Sequence, residues 1–448
     1  MVTTIELTPQ QRDAVAAITD WYQGEQQTFR LFGYAGTGKT TLARHIVDTL
    51  GAGRVLYAAY TGKAAYVLRG KGCHEASTVH SLIYQPVEKA RAELDKLKGQ
   101  AAELEDRLAT TPARSDVAAG IMIELAELRA RIKREQAKVD SPDWILRDET
   151  ELETADLLVL DEVSMVGERM ALDLLSYGCK VLCLGDPAQL PPVDGGGYFI
   201  NAPADQLLTE IHRSALDSPV TRLATAARNS QQGDQWYGIY GRDGDSGRID
   251  QLAIADLLAF DQVLVGRNAT RWQAVHLLRA LRGLGGTMPQ PGDRIITLAN
   301  SSTAQVFNGQ QFDVLSSAPH PERDDRYRLV VRDEDGVERD LPVWAAGFRD
   351  FEGEQKAKRD GRGNVAAATF AQAITVHKSQ GSQYQRVLVI DESSVFHSAA
   401  YRQAVRVLGP TAAAEAAHLN GCRWLYTAIT RASEQVVIAP RLNGLVTA

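Results

Sequence analysis

One stretch of the sequence combines glycines, a lysine and a threonine at a spacing that binds phosphate. Gly33 to Thr40 matches the pattern G-x-x-x-x-G-K-[ST]. The glycines allow backbone N–H groups to curl around a polyphosphate, and the N-terminus of the following helix adds positive potential. Lys39 is expected to reach the β- and γ-phosphates, and the Thr40 hydroxyl to hold Mg²⁺. The remaining residues of the predicted cradle are Gly36, Thr37, Gly38 and Thr41.

Two adjacent carboxylates follow an apolar run that is typical of a buried strand. Leu157 to Leu160 is followed directly by Asp161 and Glu162. Phosphoryl transfer needs a metal-bound acid and a group that activates the attacking water. We therefore predict that Asp161 holds Mg²⁺, directly or through water, and that Glu162 orients and deprotonates the water.

Further candidates for the same site occur later in the chain. Gln189 follows a Gly-Asp-Pro turn after the next apolar run, where we predict a sensor of the γ-phosphate. The transition state of phosphoryl transfer also needs cations. Arg213 and Arg431 are the candidates for that role, although isolated arginines more often lie on the surface in ion pairs.

The elements around these residues predict parallel sheets with helices on their faces. Short apolar runs alternate with helical stretches over 28–86 and 152–230, which is typical of βαβ units. A second region of this type runs from Gln262 to Gly283 and resumes at Ala371. The clearest predicted strands are Thr28–Phe32, Val55–Ala59, Leu157–Leu160, Lys180–Leu184, Val387–Ile390 and Gln435–Ala439.

Two segments depart from this alternation. Apolar residues three and four apart run from Val87 to Leu108 and resume from Ala118 to Ile132, which predicts two helices that zip together. Each helix has only a narrow apolar stripe, so a projecting antiparallel hairpin is favoured over a pair that lies flat on the core. Four short predicted strands separated by Gly, Asn and Asp turns occupy about 292–345, which indicates an inserted antiparallel β barrel.

The bulk composition is that of a soluble globular protein. The 448 residues allow two or three domains, and the net charge of −7 means that any nucleic-acid site must be a local basic groove. The four cysteines lack zinc spacing and are expected to be reduced thiols. The sequence contains neither an apolar run long enough to span a membrane nor a secretion signal, so we predict a cytoplasmic protein.

The order of the motifs resembles that of the superfamily 1B DNA helicases, the group that contains the exonuclease V alpha subunit (RecD) and the phage helicase Dda. The resemblance covers nearly the full chain. The matching segments are Leu7–Ala14, Gly33–Thr40, Tyr60–Ala65, Thr78–Leu82, Asp161–Glu162, Gly185–Leu190, Arg213, Ala373–Ser382 and Tyr426–Ala432. Leu190–Val193 lacks the base-stacking aromatic of the 3′-to-5′ relatives, as in the 5′-to-3′ group.

This resemblance implies an ATP- and Mg²⁺-dependent 5′-to-3′ DNA helicase of bacterial or phage origin, with a role in replication, recombination or repair. It would translocate on single-stranded DNA and open tailed duplexes. In such a protein Gln11 reads the adenine, Gly381 contacts the nucleotide, and the second lobe supplies Arg431. The expected DNA contacts are Thr61, Lys63, Thr78 and His80 on the first lobe, and Thr375, His377 and Lys378 on the second.

The predicted fold is α/β, with two RecA-like P-loop domains that each carry an insert. The domains are 1–86 with 141–230 (1A), a helical hairpin at 87–140 in the position of domain 1B, 231–291 with 366–448 (2A), and an SH3-like barrel at 292–365 (2B). The sequence shows no clear β-hairpin pin beside the helical hairpin. The element that splits the duplex is therefore left open.

Two other functions remain open from the sequence. An ATP-gated module that binds or moves on single strands and loads a larger replication or recombination assembly would use the hairpin to contact a protein partner. A P-loop kinase for a small metabolite would explain the phosphate loop, but neither the Thr375–Gly381 segment nor Arg431. Stimulation of ATP hydrolysis by DNA would distinguish the kinase from the other two.

Overall fold

The structure is a computed structural model that describes residues 7–85, 87–111, 116–139, 145–191, 197–211, 217–230, 242–301, 303–360 and 365–439. The α-helices in these ranges are α1 (Pro9–Gln23), α2 (Lys39–Leu50), α3 (Gly62–Gly70), α4 (Val79–Ile83), α5 (Val87–Thr110), α6 (Asp116–Val139), α7 (Glu168–Leu175), α8 (Pro219–Asn229), α9 (Asn268–Leu281), α10 (Phe351–Asp360), α11 (Ser393–Leu408) and α12 (Pro410–Ile429). Short 3₁₀ turns cover Glu151–Thr154, Val163–Met165, Ile254–Ala259, Ala345–Phe348 and His377–Ser379.

The strands form two six-stranded sheets, one five-stranded sheet and a two-stranded ribbon. The strands of the first half are β1 (Thr28–Gly33), β2 (Val55–Ala59), β3 (Ser77–Thr78), β4 (Tyr84–Gln85), β5 (Ile145–Leu146), β6 (Leu157–Asp161), β7 (Val181–Gly185), β8 (Gln206–Leu208), β9 (Arg242–Asp243) and β10 (Ser246–Arg248). Those of the second half are β11 (Gln262–Val265), β12 (Arg294–Thr297), β13 (Gln311–His320), β14 (Arg323–Arg332), β15 (Glu338–Trp344), β16 (Ala368–Phe370), β17 (Ala373–Thr375), β18 (Tyr384–Ile390) and β19 (Ala432–Ala439).

The first sheet has the order β3-β2-β6-β7-β1-β8, and every neighbouring pair is parallel. Its two central strands, β6 and β7, are apolar up to the terminal Asp161, since helices cover both faces of such a sheet. Parallel pairing brings the carboxyl ends of β1, β6 and β7 to one edge. The loops after Gly33, Asp161 and Gly185 therefore open on the same side of this lobe.

The second sheet has the order β17-β11-β18-β19-β10-β9 and is parallel except for the β9–β10 pair. The long helices α11 and α12 follow β18 and precede β19. Trp424 and Tyr426 of α12 are buried in the core of this lobe, together with apolar side chains of β18 and β19. Two parallel-sheet lobes thus make up the α/β body that the sequence predicts.

An antiparallel sheet with the order β15-β14-β13-β12-β16 interrupts the second lobe. Hydrogen bonds join its two ends, because Trp344 N donates to Ala366 O at 3.1 Å and Ala366 N donates to Pro342 O at 2.8 Å. Phe312, Val314 and Leu329 fill its interior.

The helices α5 and α6 are 24 residues long each and pack against one another. Their buried seam, separate from the cores of the lobes, consists of Leu97, Ala101, Leu104, Ile121, Leu125 and Leu128. At the base, β4 and β5 pair antiparallel, with Tyr84 opposite Leu146. No helix in the described ranges has the length and apolar character that crossing a membrane requires.

Candidate functional site

The phosphate loop joins β1 to α2 in the conformation that its glycines allow. Gly36 and Gly38 have φ values of 81° and 75°, which glycine adopts without strain, and Gly38 precedes the first residue of α2. The Lys39 ammonium lies over the loop and donates to Gly33 O at 2.6 Å and Tyr34 O at 3.1 Å. These carbonyl contacts hold the cation where a phosphate would be bound.

Gln11 links α1 to the phosphate loop. Its side-chain amide donates to Thr37 O at 3.2 Å, and its side-chain oxygen accepts from Thr8 N at 3.0 Å. Gln11 and Thr37 are both buried. The glutamine is therefore placed beside the nucleotide cradle, and its role in adenine recognition stays a prediction.

The hydroxyl and carboxylate predicted to hold a metal lie together. Thr40 Oγ1 donates to Asp161 Oδ2 at 3.2 Å, while Asp161 Oδ1 accepts from Glu162 N at 2.8 Å. Oxygen ligands of this kind suit Mg²⁺, which is commonly held by one or two protein groups and by substrate phosphates. Among the described residues, no group of three or more His, Cys, Asp or Glu side chains is arranged to hold a metal ion.

Glu162 begins the turn after β6 with a left-handed backbone, at φ 55°. Burial is the main cause that raises the pKa of its carboxyl above the ordinary value, and the charge of Arg431 is the main opposing influence. Asp161 and Asp186 raise the pKa further, whereas Lys39 lowers it. Arg431 of the second lobe and Lys39 of the first thus both oppose the effect of burial on the Glu162 carboxyl.

Direct hydrogen bonds also join the two lobes beside the phosphate loop. The Tyr426 hydroxyl donates to Asp186 Oδ2 at 2.6 Å and accepts from Ala35 N at 2.9 Å. On the next turn of the loop after β7, Leu190 N donates to Thr427 Oγ1 at 2.9 Å and Leu190 O accepts from Gln380 at 3.1 Å. Tyr426, Thr427 and Gln380 stand inside motifs that the sequence identifies, but no sequence signal names their partners across the lobes.

Arg431 is buried, with 5% of its surface exposed. Within the part of the chain that the structure describes, its guanidinium donates to neutral oxygens, namely Thr427 O at 3.2 Å, Ser382 O at 3.3 Å and Thr430 Oγ1 at 3.2 Å. In the described residues, Gln189 is also buried and its side-chain oxygen has no hydrogen-bond partner. A buried cation that donates no described hydrogen bond to a carboxylate is well suited to an anionic ligand. Arg213, the other predicted arginine, lies outside the described residues.

The three threonines predicted to contact DNA all have local hydrogen bonds. Thr61 caps α3 and accepts from Ala64 N at 3.1 Å. Thr78 caps α4, is buried, and both accepts from Ser81 N and donates to Ser81 Oγ. Thr375 accepts from Lys378 N at 3.3 Å. These contacts order the segments, and a DNA role for the hydroxyls stays a prediction.

The two histidines of the predicted DNA path pack against aromatic rings. His80 lies 5.5 Å from Tyr60 and 5.9 Å from Tyr84, measured between ring centroids, and His377 lies 5.7 Å from Phe396. Burial lowers the pKa of both imidazoles. At neutral pH they would meet a phosphate as neutral hydrogen-bonding groups rather than as cations.

The two lysines of this path are partly buried. Burial lowers the pKa of Lys63 to about 8, and Asp335 opposes the change; the Lys63 ammonium forms an ion pair with Glu334. Burial lowers the pKa of Lys378 to about 7, against the influence of Glu354. At both positions burial disfavours the charged form, so an anionic partner stabilises the ammonium.

Gly381, which the sequence predicts as a nucleotide contact, lies against the first lobe. A Cβ at this position would come within 2.7 Å of Thr61 Oγ1 and 2.9 Å of Ala64 Cβ, and the backbone φ is +78°. Gly381 thus brings the second-lobe motif into contact with the first-lobe residues that are predicted to bind DNA. Its role at the nucleotide stays a prediction.

The fold and the site define a P-loop nucleotide-binding protein with two parallel-sheet lobes. Residues 6–251 match the family described as AAA domain, and the chain belongs to this family. The ATP-dependent RecD2 DNA helicase of Deinococcus radiodurans is 28% identical over 310 residues, which are 62% of this chain and 36% of the relative. The ATP-dependent DNA helicase dda of Enterobacteria phage T4 is 26% identical over 267 residues, 55% of this chain and 48% of the relative.

These relatives confirm the resemblance to the superfamily 1B helicases of the RecD and Dda type. The chain spans less than half the length of either curated relative. Among solved structures, Bacteroides Pif1 bound to ssDNA is 17% identical with a TM-score of 0.48, over 99% of this chain and 92% of that one. Pif1 helicase from Candida albicans is 17% identical with a TM-score of 0.46, over 97% and 95%.

Proposed function

We propose that this protein is an ATP-dependent DNA helicase that translocates 5′-to-3′ on single-stranded DNA. The observation that carries the proposal is the junction of the two lobes beside the Lys39 loop, where the Tyr426 hydroxyl donates to Asp186 Oδ2 and accepts from Ala35 N, with the buried Arg431 five residues further along the chain. Such a site needs both lobes for hydrolysis, so that hydrolysis and lobe movement are linked. The names of the two curated relatives, both ATP-dependent DNA helicases, support the same function.

The proposal assigns each predicted residue the role that phosphoryl transfer requires. Lys39 binds the β- and γ-phosphates, Glu162 activates water, and Gln189 senses the γ-phosphate. Arg431 and Arg213 stabilise the charge of the transition state. Mg²⁺ held by Thr40 and Asp161 neutralises phosphate oxygens. The backbone of Gly36, Thr37, Gly38 and Thr41, together with Gln11 and Gly381, completes the nucleotide site.

ATP draws the lobes together because the buried Arg431 gains an anionic partner only when the nucleotide lies between them. Loss of phosphate removes that partner and loosens the lobes. The first lobe holds the strand through Thr61, Lys63, Thr78 and His80, and the second through Thr375, His377 and Lys378. Contacts of this type bind the sugar–phosphate backbone without sequence preference, so alternate tightening moves the protein along the strand.

The domain organisation belongs to the same proposal. RecA-like domain 1A comprises 1–86 and 141–230 around the hairpin at 87–140, and domain 2A comprises 231–291 and 366–448 around the insert at 292–365. The hydrogen bonds that join Trp344 and Pro342 to Ala366 support an SH3-like barrel for the insert, because they connect the two ends of its sheet.

Unwinding of tailed duplexes tests the function and its polarity together. A duplex with a 5′ single-stranded tail is expected to be separated in the presence of ATP and Mg²⁺, while a blunt duplex and a 3′-tailed duplex are not. The Lys39→Ala variant is the matched control for protein-dependent melting without hydrolysis. Separation that needs only a 3′ tail would overturn the polarity, and ATP hydrolysis that DNA leaves unchanged would favour the small-metabolite kinase.

An ATP-gated module that loads or anchors a larger assembly is the second candidate, and the hairpin favours it. α5 and α6 have a core of their own, and Val117, Met122 and Ile123 expose 61%, 51% and 64% of their surface. Apolar exposure of this kind is typical of protein contact sites.

Replacement of residues 88–138 by a short Gly-Ser linker distinguishes the two candidates. The linker is feasible because β4 and β5 already hold the chain ends together. If unwinding is lost while DNA-stimulated ATP hydrolysis persists, the hairpin belongs to the strand-separating machinery. Unchanged unwinding identifies it as a docking arm.

A further inference from the structure

An acidic turn of the inserted sheet lies on a lysine that is predicted to bind DNA. The turn, residues 333–335, lies between β14 and β15, and it contacts Lys63 and Tyr66 of α3. The Glu334 carboxylate forms an ion pair with the Lys63 ammonium, and the Asp335 carboxylate accepts a hydrogen bond from the Tyr66 hydroxyl. Two carboxylates from the second half of the chain thus bind two neighbouring polar side chains of the first lobe.

A second loop of the insert covers the same part of α3. Phe307 lies so close to Gly62 that a Cβ on the glycine would come within 2.9 Å of the Phe307 ring. The Arg69 guanidinium lies 5.5 Å from the Phe307 ring and 5.9 Å from the Tyr66 ring. A cation, two aromatic rings and a lysine on one surface are the groups that bind single-stranded nucleic acid through phosphates and base stacking.

The acidic turn has a defined shape of its own. Asp333 Oδ1 accepts from Asp335 N at 3.1 Å and from Val337 N at 2.9 Å, and Asp333 Oδ2 pairs with Arg339 at 3.2 Å. Gly336 takes the left-handed backbone that closes the turn, with φ +80°. Asp333 is therefore structural, whereas Glu334 and Asp335 are presented toward α3.

We propose that the acidic turn occupies the place of the DNA backbone at Lys63, so that a single strand binds there only after the turn has moved away. The inference rests on the proposed function and adds an autoinhibitory contact to its DNA site. Carboxylate and phosphate compete for one ammonium, of which only 13% of the side-chain surface is exposed. With so little of the Lys63 side chain exposed, a phosphate has no room for full contact with the ammonium while Glu334 is in place. DNA that displaces the turn also releases the Tyr66 hydroxyl from Asp335.

The test compares two double variants that lose the same charge. Glu334→Gln with Asp335→Asn removes the carboxylates that face α3 and leaves Asp333 to shape the turn. The control, Glu322→Gln with Asp324→Asn, removes two exposed carboxylates at the opposite end of β14. Binding of a fluorescent oligo-dT is measured by anisotropy without nucleotide. The turn variant is expected to bind roughly five-fold more tightly than the control, because an internal competitor has been lost.

Lys63→Ala in each background shows where the gain arises. With Lys63 absent, the turn variant is expected to bind no more tightly than the control variant. Equal affinity of the turn and control variants with Lys63 present overturns the inference, and so does a gain that persists without Lys63. If the protein with its native turn and both variants all fail to bind oligo-dT, the proposed function itself fails. That result differs from a protein that binds DNA without a contribution from the turn.

Discussion

The Tyr426 hydroxyl donates a hydrogen bond to Asp186 Oδ2 at 2.6 Å, across the boundary between the two lobes. The same oxygen accepts from Ala35 N, the second residue after β1 in the phosphate loop. Burial, together with the neighbouring Asp186 carboxylate, raises the pKa of Tyr426 well above its ordinary value, so the hydroxyl keeps its proton at every working pH. One side chain of the second lobe thus fixes two loops of the first lobe that border the nucleotide.

Tyr426→Phe is expected to lower both stability and DNA-stimulated ATP hydrolysis. The variant leaves the Ala35 N–H and an Asp186 oxygen buried without their partner, which costs about 1–3 kcal/mol of unfolding free energy. Tyr177→Phe is the matched control, since that hydroxyl donates to Arg147 O at 2.6 Å within the first lobe. Thermal unfolding is expected to show a lowered melting temperature for both variants, but only Tyr426→Phe should reduce kcat. Equal kcat in the two variants would show that the contact between the lobes has no part in turnover.

Lys39→Ala is expected to abolish ATP hydrolysis and to weaken ATP binding roughly 10- to 100-fold, because it removes charge-assisted hydrogen bonds to phosphate. Lys180 provides a close comparison, since its ammonium also donates to backbone carbonyls, at Gly24 O (2.7 Å) and Gln26 O (3.0 Å). Lys180→Ala should lower the melting temperature without changing the affinity for ATP. Equilibrium binding of a fluorescent ATP analogue measures the affinity of each variant, and thermal unfolding measures its melting temperature. An unchanged affinity in Lys39→Ala would remove Lys39 from the nucleotide site.

The parts of the fold that local patterns specify were predictable from the sequence. The strand Val55–Ala59 has the predicted limits. The predicted strand 28–32 ends one residue later, at Gly33, because an apolar run followed by glycines determines both the strand and the loop after it. The seam of α5 and α6 follows in the same way from spacings of three and four residues. The phosphate loop, its lysine and the Thr40–Asp161 pair were likewise accessible, since their spacing carries the chemistry.

Contacts between distant segments were not predictable, because neither partner shows a local signal. Arg271 and Arg279 would be expected on the surface of a helix, yet they are buried in ion pairs with Glu354 and Asp293. Composition cannot tell a buried arginine from an exposed one when its carboxylate lies elsewhere in the chain. The pairing of Lys63 with Glu334 has the same origin, and it changes the surroundings of a predicted DNA contact.

Glu162→Gln is expected to bind ATP normally but to lower kcat by roughly 10²- to 10⁴-fold, as for loss of a general base. Because burial raises the pKa of this carboxyl, it takes up a proton at a less acidic pH than a glutamate in water. A base is active only when ionised, so kcat should decline as the pH falls through that raised value. Glu168→Gln, an exposed glutamate in the first turn of α7, should leave both kcat and its pH profile unchanged. Wild-type turnover in Glu162→Gln would place the base elsewhere.

The lowered pKa of Lys378 predicts that the affinity for DNA depends on pH. A single conservative substitution is expected to weaken that dependence. The pKa of Lys378 is lowered to about 7 by burial, with the Glu354 carboxylate opposing the shift and the Arg271 and Lys358 cations adding to it. A lysine is charged below its pKa, so its attraction for phosphate weakens as the pH rises from about 6.5 to about 8. Burial lowers the pKa of His80 and His377, which moves their titration toward and below the acidic end of this window.

Lys378→Arg keeps the charge at every pH in this window, since an arginine does not lose its proton there. Its affinity for oligo-dT should therefore fall less with pH than that of the wild-type protein. Lys63, with a pKa of about 8, is present in both proteins, so the difference between the two curves reports Lys378 alone. Lys378→Ala should bind more weakly than Lys378→Arg, because it has no charge at position 378. Both variants should lack the pH dependence that Lys378 contributes. Parallel curves for the wild-type protein and Lys378→Arg would mean that the Lys378 ammonium does not meet the DNA backbone.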